Sequence, residues 1–98
     1  KHFQYVYRRG KSFPGKLMVL VYLKARDVKV GFSVSAKVGN SVVRNRVRRL
    51  MREDFRMERP ALAGGKYIFI ARSGAARAKH QDLTREMAYL IRKAGPYL

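Results

Sequence analysis

The chain contains no cysteine, which excludes disulfides, a zinc knuckle and any thiol nucleophile. Acidic residues are scarce. The six are Asp27, Glu53, Asp54, Glu58, Asp82 and Glu86, and they form no close cluster of the kind that two-metal nucleases use. The two histidines, His2 and His80, stand near opposite ends, outside any recognisable acid–base pair, and read as surface residues. No catalytic residue and no protein-held metal is therefore expected. The longest apolar run, Leu17 to Leu23, is too short to span a bilayer. With no signal-peptide pattern either, the expected location is cytoplasmic, with no membrane partner. The chain opens at Lys1 rather than Met, so a short native extension is expected before it. There is no internal repeat and no low-complexity segment.

Basic residues are plentiful. Twenty-three Lys and Arg give a formal net charge of +17 over 98 residues. Self-repulsion on that scale opposes compaction, and a polyanionic partner explains why it is kept. Each Lys or Arg placed on a nucleic-acid phosphate releases condensed counterions. The hydrophobic share of 47% is ordinary for a globular chain, and this length favours a single domain over residues 1–98 with a modest core.

Phe3, Val6 and Tyr7 at helical spacing before Gly10 predict a first helix over residues 1–9 with a glycine cap. Ser12, Pro14 and Gly15 make Lys11 to Gly15 read as a turn. Leu17 to Leu23 reads as a buried strand. Ala25-Arg-Asp27 reads as a short hairpin link, and Val28, Val30, Phe32 and Val34 as the inward positions of a half-buried strand. The opposite face of that strand carries small or basic side chains, which would let a bulky ligand approach closely. Asn40 or Ser41 can cap a long helix to about Met57. A loop from Arg59 to Gly65 follows, then a central strand over Lys66 to Arg72 and a polar, basic loop over 73–79. A last helix spans about 80–94 with Leu83, Met87, Leu90 and Ile91 as its apolar stripe, closed by Gly95-Pro96. The order helix, strand, strand, helix, strand, helix predicts an α+β two-layer sandwich. Its strand–helix–strand crossover would ordinarily be right-handed.

At 100° per residue, Val43, Val47, Leu50 and Met51 share one side of the middle helix. Asn45, Arg48, Arg49, Arg52 and Arg56 share the other, with Arg44 and Arg46 at the boundary. All six basic residues between Ser41 and Arg56 are arginine, whose planar fork fits phosphate oxygens as a lysine ammonium does not. The helix N-terminus adds partial positive charge near Arg44 and Arg46. Asn45 can both donate and accept, which suits a base edge, a sugar hydroxyl or a metal-bound water. Salt bridges to Glu53 and Asp54 are the competing use of this face, and two acids cannot neutralise six arginines.

The run Val43-Arg-Asn-Arg-Val-Arg-Arg-Leu-Met-Arg-Glu53 resembles the signature helix of the bacterial ribonuclease P protein component. Val30-Gly-Phe-Ser-Val-Ser35, Lys37-Val-Gly-Asn40, Phe3 through Phe13 and Tyr67 to Arg72 also fit, so the likeness covers nearly the whole chain in order. The resemblance implies a mainly antiparallel sheet of three or four strands with a left-handed βαβ crossover. It also implies a protein that docks on a catalytic RNA and holds the 5′ leader of precursor tRNA. The chemistry would belong to that RNA with Mg²⁺ held mainly by it, and no small-molecule substrate is implied. By position, Lys37, Arg44, Asn45, Arg46, Arg48, Arg49 and Arg52 would face RNA, with Asn45 near the leader and metal. Ala36 stands where the family usually has a second lysine. Phe3 and Tyr7 match aromatic positions of the leader cleft, where a stacked base is worth about 1–3 kcal/mol. Together with Val6 they could equally pin the first helix to the sheet. Val21 and Phe32 read as core. A structural or ribosomal RNA-binding protein is the alternative, and a DNA-binding regulator a third reading, which a strand rather than a helix before the arginine helix disfavours.

Overall fold

The structure, a computed structural model, describes residues 2–98, with side chains from residue 4 onward. Helix α1 (His2–Arg9) stops where the Gly10 N–H reaches the Val6 carbonyl at 2.7 Å. Gly10 is needed there, because a Cβ would lie 2.7 Å from Val6 O and 2.8 Å from Tyr22 O. The four strands are β1 (Lys11–Pro14), β2 (Met18–Lys24), β3 (Val28–Ser33) and β4 (Gly65–Ala71). Helix α2 (Ser41–Glu58) lies between β3 and β4 in the chain, and α3 (His80–Ala94) follows β4. Short 3-10 turns occupy Arg59–Ala61 and Ser73–Ala76 within the two expected loops.

The sheet order is β1-β2-β4-β3. The β1–β2 and β2–β4 ladders are antiparallel and the β3–β4 ladder is parallel. Two sequence expectations are corrected. Lys11 to Pro14 is an edge strand rather than a turn: Phe13 faces Leu20 in the ladder and packs against the core. Pro14 ends this strand at the sheet edge, where its missing N–H costs no ladder bond. The true turn is Gly15 to Leu17, closed by Gly15 N–H to Met18 O at 2.8 Å.

The second correction concerns β2 and β3, which are not hairpin neighbours, because β4 lies between them. Tyr67, Ile68 and Phe69 are all buried, so β4 has apolar faces on both sides and belongs in the middle. Its entry passes against the β2–β3 link: Gly65 N–H donates to Asp27 O at 3.1 Å, and a Cβ on Gly64 would collide with the Ala25 and Arg26 carbonyls. The pair Gly64-Gly65 thus lets one strand thread beside a link that would otherwise close as a hairpin.

Helices α2 and α3 cover one face of the sheet. Val47, Leu50, Met51 and Phe55 meet Leu83, Met87, Leu90 and Ile91 over Leu20, Tyr67 and Phe69. The Phe55 ring stands 5.4 Å from Tyr67 and 5.7 Å from Phe69 between centroids. Phe32 stacks on Phe69 at 6.0 Å, and Val21 is buried, so both are core as expected. The other face carries a smaller cluster in which Val6 of α1 covers Val21 and Ile68. Gly95 takes φ 71° at the end of α3, the left-handed cap that glycine adopts without strain.

Candidate nucleic-acid interface

The arginine face begins with a well-made helix start. The Asn40 side chain accepts the Val43 N–H at 3.0 Å, which leaves the first turn ordered and aims the residues after it. Burial of Val47, Leu50, Met51 and Phe55 then fixes the helix rotation, so Arg48, Arg49 and Arg52 point away from the sheet. Val42, Asn45, Arg46, Arg48, Arg49 and Arg52 line one shallow concavity of about 670 Å³. Arg48 donates to the Asn45 side-chain oxygen at 3.0 Å, which steadies both groups and leaves the Asn45 amide nitrogen outward. Arg46 reaches the Ala78 carbonyl at 3.4 Å.

Two expected members of this surface stand apart. Arg44 turns back to the Gly39 carbonyl at 3.1 Å, and Lys37 is exposed in the turn before the helix. Neither lines the concavity.

The acids do little to neutralise this face. Arg49 and Glu53 form an exposed i,i+4 pair at 3.6 Å, which is worth only a few tenths of a kcal/mol in water. Asp54 points the other way. It is 5% exposed, and its Oδ1 accepts from Thr84 Oγ1 at 2.7 Å and faces His80 Nε2 at 2.9 Å. His80 is therefore more than the bare surface residue that its sequence position suggests. Though its side chain is 44% exposed, it ties the start of α3 to α2. Among the described residues Asp54 Oδ2 has no partner, and no three His, Cys, Asp or Glu are grouped to hold a metal ion.

The second region lies where α1 crosses the outer sheet face. Val6 carries the anchoring role that the sequence left open for Phe3, Val6 and Tyr7. Tyr7 is 45% exposed and so keeps its ring available; the ring of Phe3 lies outside the described residues. The sequence missed Tyr5 as a participant. It is similarly exposed, with the Arg9 guanidinium and Lys66 ammonium 5.6 and 5.8 Å from its ring centre. The only prior signal was an aromatic ring one turn before a C-terminal arginine. Beside α1 the register sets Lys29, Gly31 and Ser33 of β3 against Lys66, Ile68 and Ile70 of β4. The floor is thus apolar near the helix and small or basic beside it, a form that admits a flat base and its phosphate.

The family model described as Ribonuclease P matches residues 1–95. A ribonuclease P protein component of Clostridium botulinum (strain 657 / Type Ba4) is 43% identical, the match covering 99% of this chain and 91% of that protein. One from an Exiguobacterium strain is 38% identical, with 96% and 84% covered. Among solved structures, the Staphylococcus aureus RNase P protein superposes with a TM-score of 0.91 at 26% identity, over 99% of this chain and 92% of that one. The Thermotoga maritima RNase P protein gives 0.86 at 22% identity over 95% and 91%, a likeness of fold.

Proposed function

The chain belongs to the ribonuclease P protein family, and from that premise we propose that its two surfaces divide the work between two RNAs. As a family member it is a subunit of the ribonucleoprotein that processes the 5′ end of tRNA, and its partner is the ribonuclease P RNA. The alternative of a structural RNA-binding protein without a role in tRNA processing falls with that assignment.

In our reading Asn45, Arg46, Arg48, Arg49 and Arg52 grip the catalytic RNA, with Arg44 and Lys37 extending the contact toward the loop before α2. The cleft between α1 and the sheet holds the unpaired 5′ leader of precursor tRNA, with Tyr7 and Phe3 as stacking groups. The observation that carries this is the concavity itself: four arginines and an asparagine surround it, and one exposed carboxylate answers them. Guanidinium forks on a rigid helix suit phosphates held in a fixed arrangement, as in a folded RNA. An aromatic ring beside small residues suits a flexible single strand.

The donor set of the protein does not suit a resident divalent ion, since its carboxylates are dispersed, inward or ion-paired. In our reading Mg²⁺ belongs with the RNA phosphates, and the exposed Asn45 side chain would hydrogen-bond a metal-bound water. The holoenzyme works in the bacterial cytoplasm; no described helix is long and apolar enough to cross a membrane.

Reconstitution tests the reading. The protein alone should cleave nothing, and adding it to cognate catalytic RNA at low Mg²⁺ should restore 5′ maturation of precursor tRNA. Cleavage that is equal with and without the protein would overturn the proposal. Arg48→Ala with Arg52→Ala should weaken affinity for the catalytic RNA, while Tyr7→Ala should narrow the affinity gap between precursor and mature tRNA. If about five phosphates are neutralised, affinity should fall with salt at a log–log slope of roughly −3.5 to −4.5.

A further inference from the structure

We infer that the outer side of α3 forms a further basic groove that binds a stretch of unpaired RNA; it shares Arg9 with the α1 region and no lining residue with the arginine concavity. Two depressions lie along this helix. One, of about 500 Å³, is lined by Lys16, Arg77, Arg85 and Tyr89 beside Asp82 and Glu86. The other, of about 440 Å³, is lined by Arg9, Lys11, Lys24 and Lys93 around Phe13 and Tyr22. Tyr89 of the first and Lys93 of the second stand one turn apart on α3, with the Lys93 ammonium 5.6 Å from the centre of the Tyr89 ring.

The carboxylates of the groove are already engaged. Glu86 accepts three backbone N–H groups from the turn before β2, from Lys16 at 3.1 Å, Leu17 at 2.6 Å and Met18 at 2.8 Å. Asp82 Oδ2 accepts the Lys79 N–H at 3.2 Å in the first turn of α3. Neither forms a salt bridge with Lys16, Arg77 or Arg85 among the described residues. The second depression has no acidic lining residue at all. Seven cations therefore face water around a ring that is 50% exposed.

A solvated basic face would explain the charges, but not their gathering into two hollows linked by a lysine–tyrosine contact. That combination fits phosphates along the walls and a base on Tyr89. Neither hollow shares a lining residue with the arginine concavity, although the Ala78 carbonyl of the first accepts from Arg46. Helix α3 packs against α2 on one side and over β2 and the edge strand β1 on the other, whereas α2 packs over β3.

The test measures binding of a short fluorescent oligouridylate to the full chain by anisotropy. Arg85→Glu with Lys93→Glu is compared with Arg26→Glu with Arg59→Glu, an equal change of charge on exposed residues outside the groove. We expect the α3 pair to lose about tenfold more affinity than the control pair, and Tyr89→Ala to lose about fivefold, the lower end of one stacking contact. A benzophenone side chain at position 89 should crosslink RNA in the reconstituted holoenzyme. Thermal melts establish folding, and Arg85→Gln with Lys93→Gln replaces any pair that fails to melt cooperatively. Equal losses for the α3 and control pairs would overturn the inference. So would losses confined to binding of anionic phospholipid vesicles, which would make the groove a lipid contact instead.

Discussion

Helix α2 sinks Val47, Leu50, Met51 and Phe55 into the main core, whereas among the described residues of α1 only Val6 is buried. Both helices carry groups proposed to face RNA, but one is clamped and the other lightly held. The difference suits the two RNAs proposed for them. A folded catalytic RNA presents its phosphates in one arrangement, so a rigid row of guanidiniums loses little entropy on docking. A leader strand has no fixed shape, and a short helix on a single apolar contact can adjust to it.

The strongest way to break this contrast is to loosen the clamped helix. Phe55→Ala should cost about 3–5 kcal/mol, because Phe55 meets Tyr67, Phe69 and Phe32 in one aromatic cluster. Chemical denaturation should show it, and both RNA affinities should fall together. Val6→Ala should cost less, about 2 kcal/mol for the lost methyl groups. Leader preference should suffer while affinity for the catalytic RNA stays near that of the parent; an equal fall in both would erase the distinction between the helices.

Cutting the tie between α2 and α3 with His80→Ala should cost about 1–2 kcal/mol in the melting profile, since the Asp54 carboxylate keeps only its Thr84 bond. The smallest effect at neutral pH concerns Tyr67 beneath α2. Burial, reinforced by Tyr22 and Tyr97, pushes its phenol up to about 12 from an ordinary 10.0. Below pH 10 both folded and unfolded chains keep the proton, so stability does not change. Between 10 and 12 the unfolded chain loses it first, and stability should fall. Tyr67→Phe should flatten that fall; an unchanged alkaline profile would remove Tyr67 as its source.

Much of this was legible in the sequence because periodicity reports burial. Val43, Val47, Leu50 and Met51 oriented α2, and Leu83, Met87, Leu90 and Ile91 oriented α3. The central place of β4 also followed from its two apolar faces. Pairing was less legible, since strand neighbours depend on contacts far apart in the chain. Ala25-Arg26-Asp27 has the length of a hairpin link, and only the close approach of Gly64 and Gly65 explains why β4 enters there. Phe13, between residues that favour turns, gave one weak sign of β1. In the arginine concavity Asn45, Arg48, Arg49 and Arg52 came together as the helical wheel requires, with Arg46 joining from the boundary and Arg56 outside the lining. Arg44 did not join them because its side chain is satisfied on the Gly39 carbonyl, and Lys37 because it stands exposed in the turn before the helix. Asp54 looked like a surface acid until the third dimension brought His80 and Thr84 to it.

The insertion of β4 between β2 and β3 sets an order on synthesis. As the chain leaves the ribosome, β1 and β2 can meet at once, but β3 has no edge to join until residues 65–71 follow. The basic helix therefore emerges before the platform that will aim it exists. Sheet closure must wait for contacts of long sequence separation, the slow kind. A nascent chain halted before β4 would display its arginines without the geometry that makes them selective.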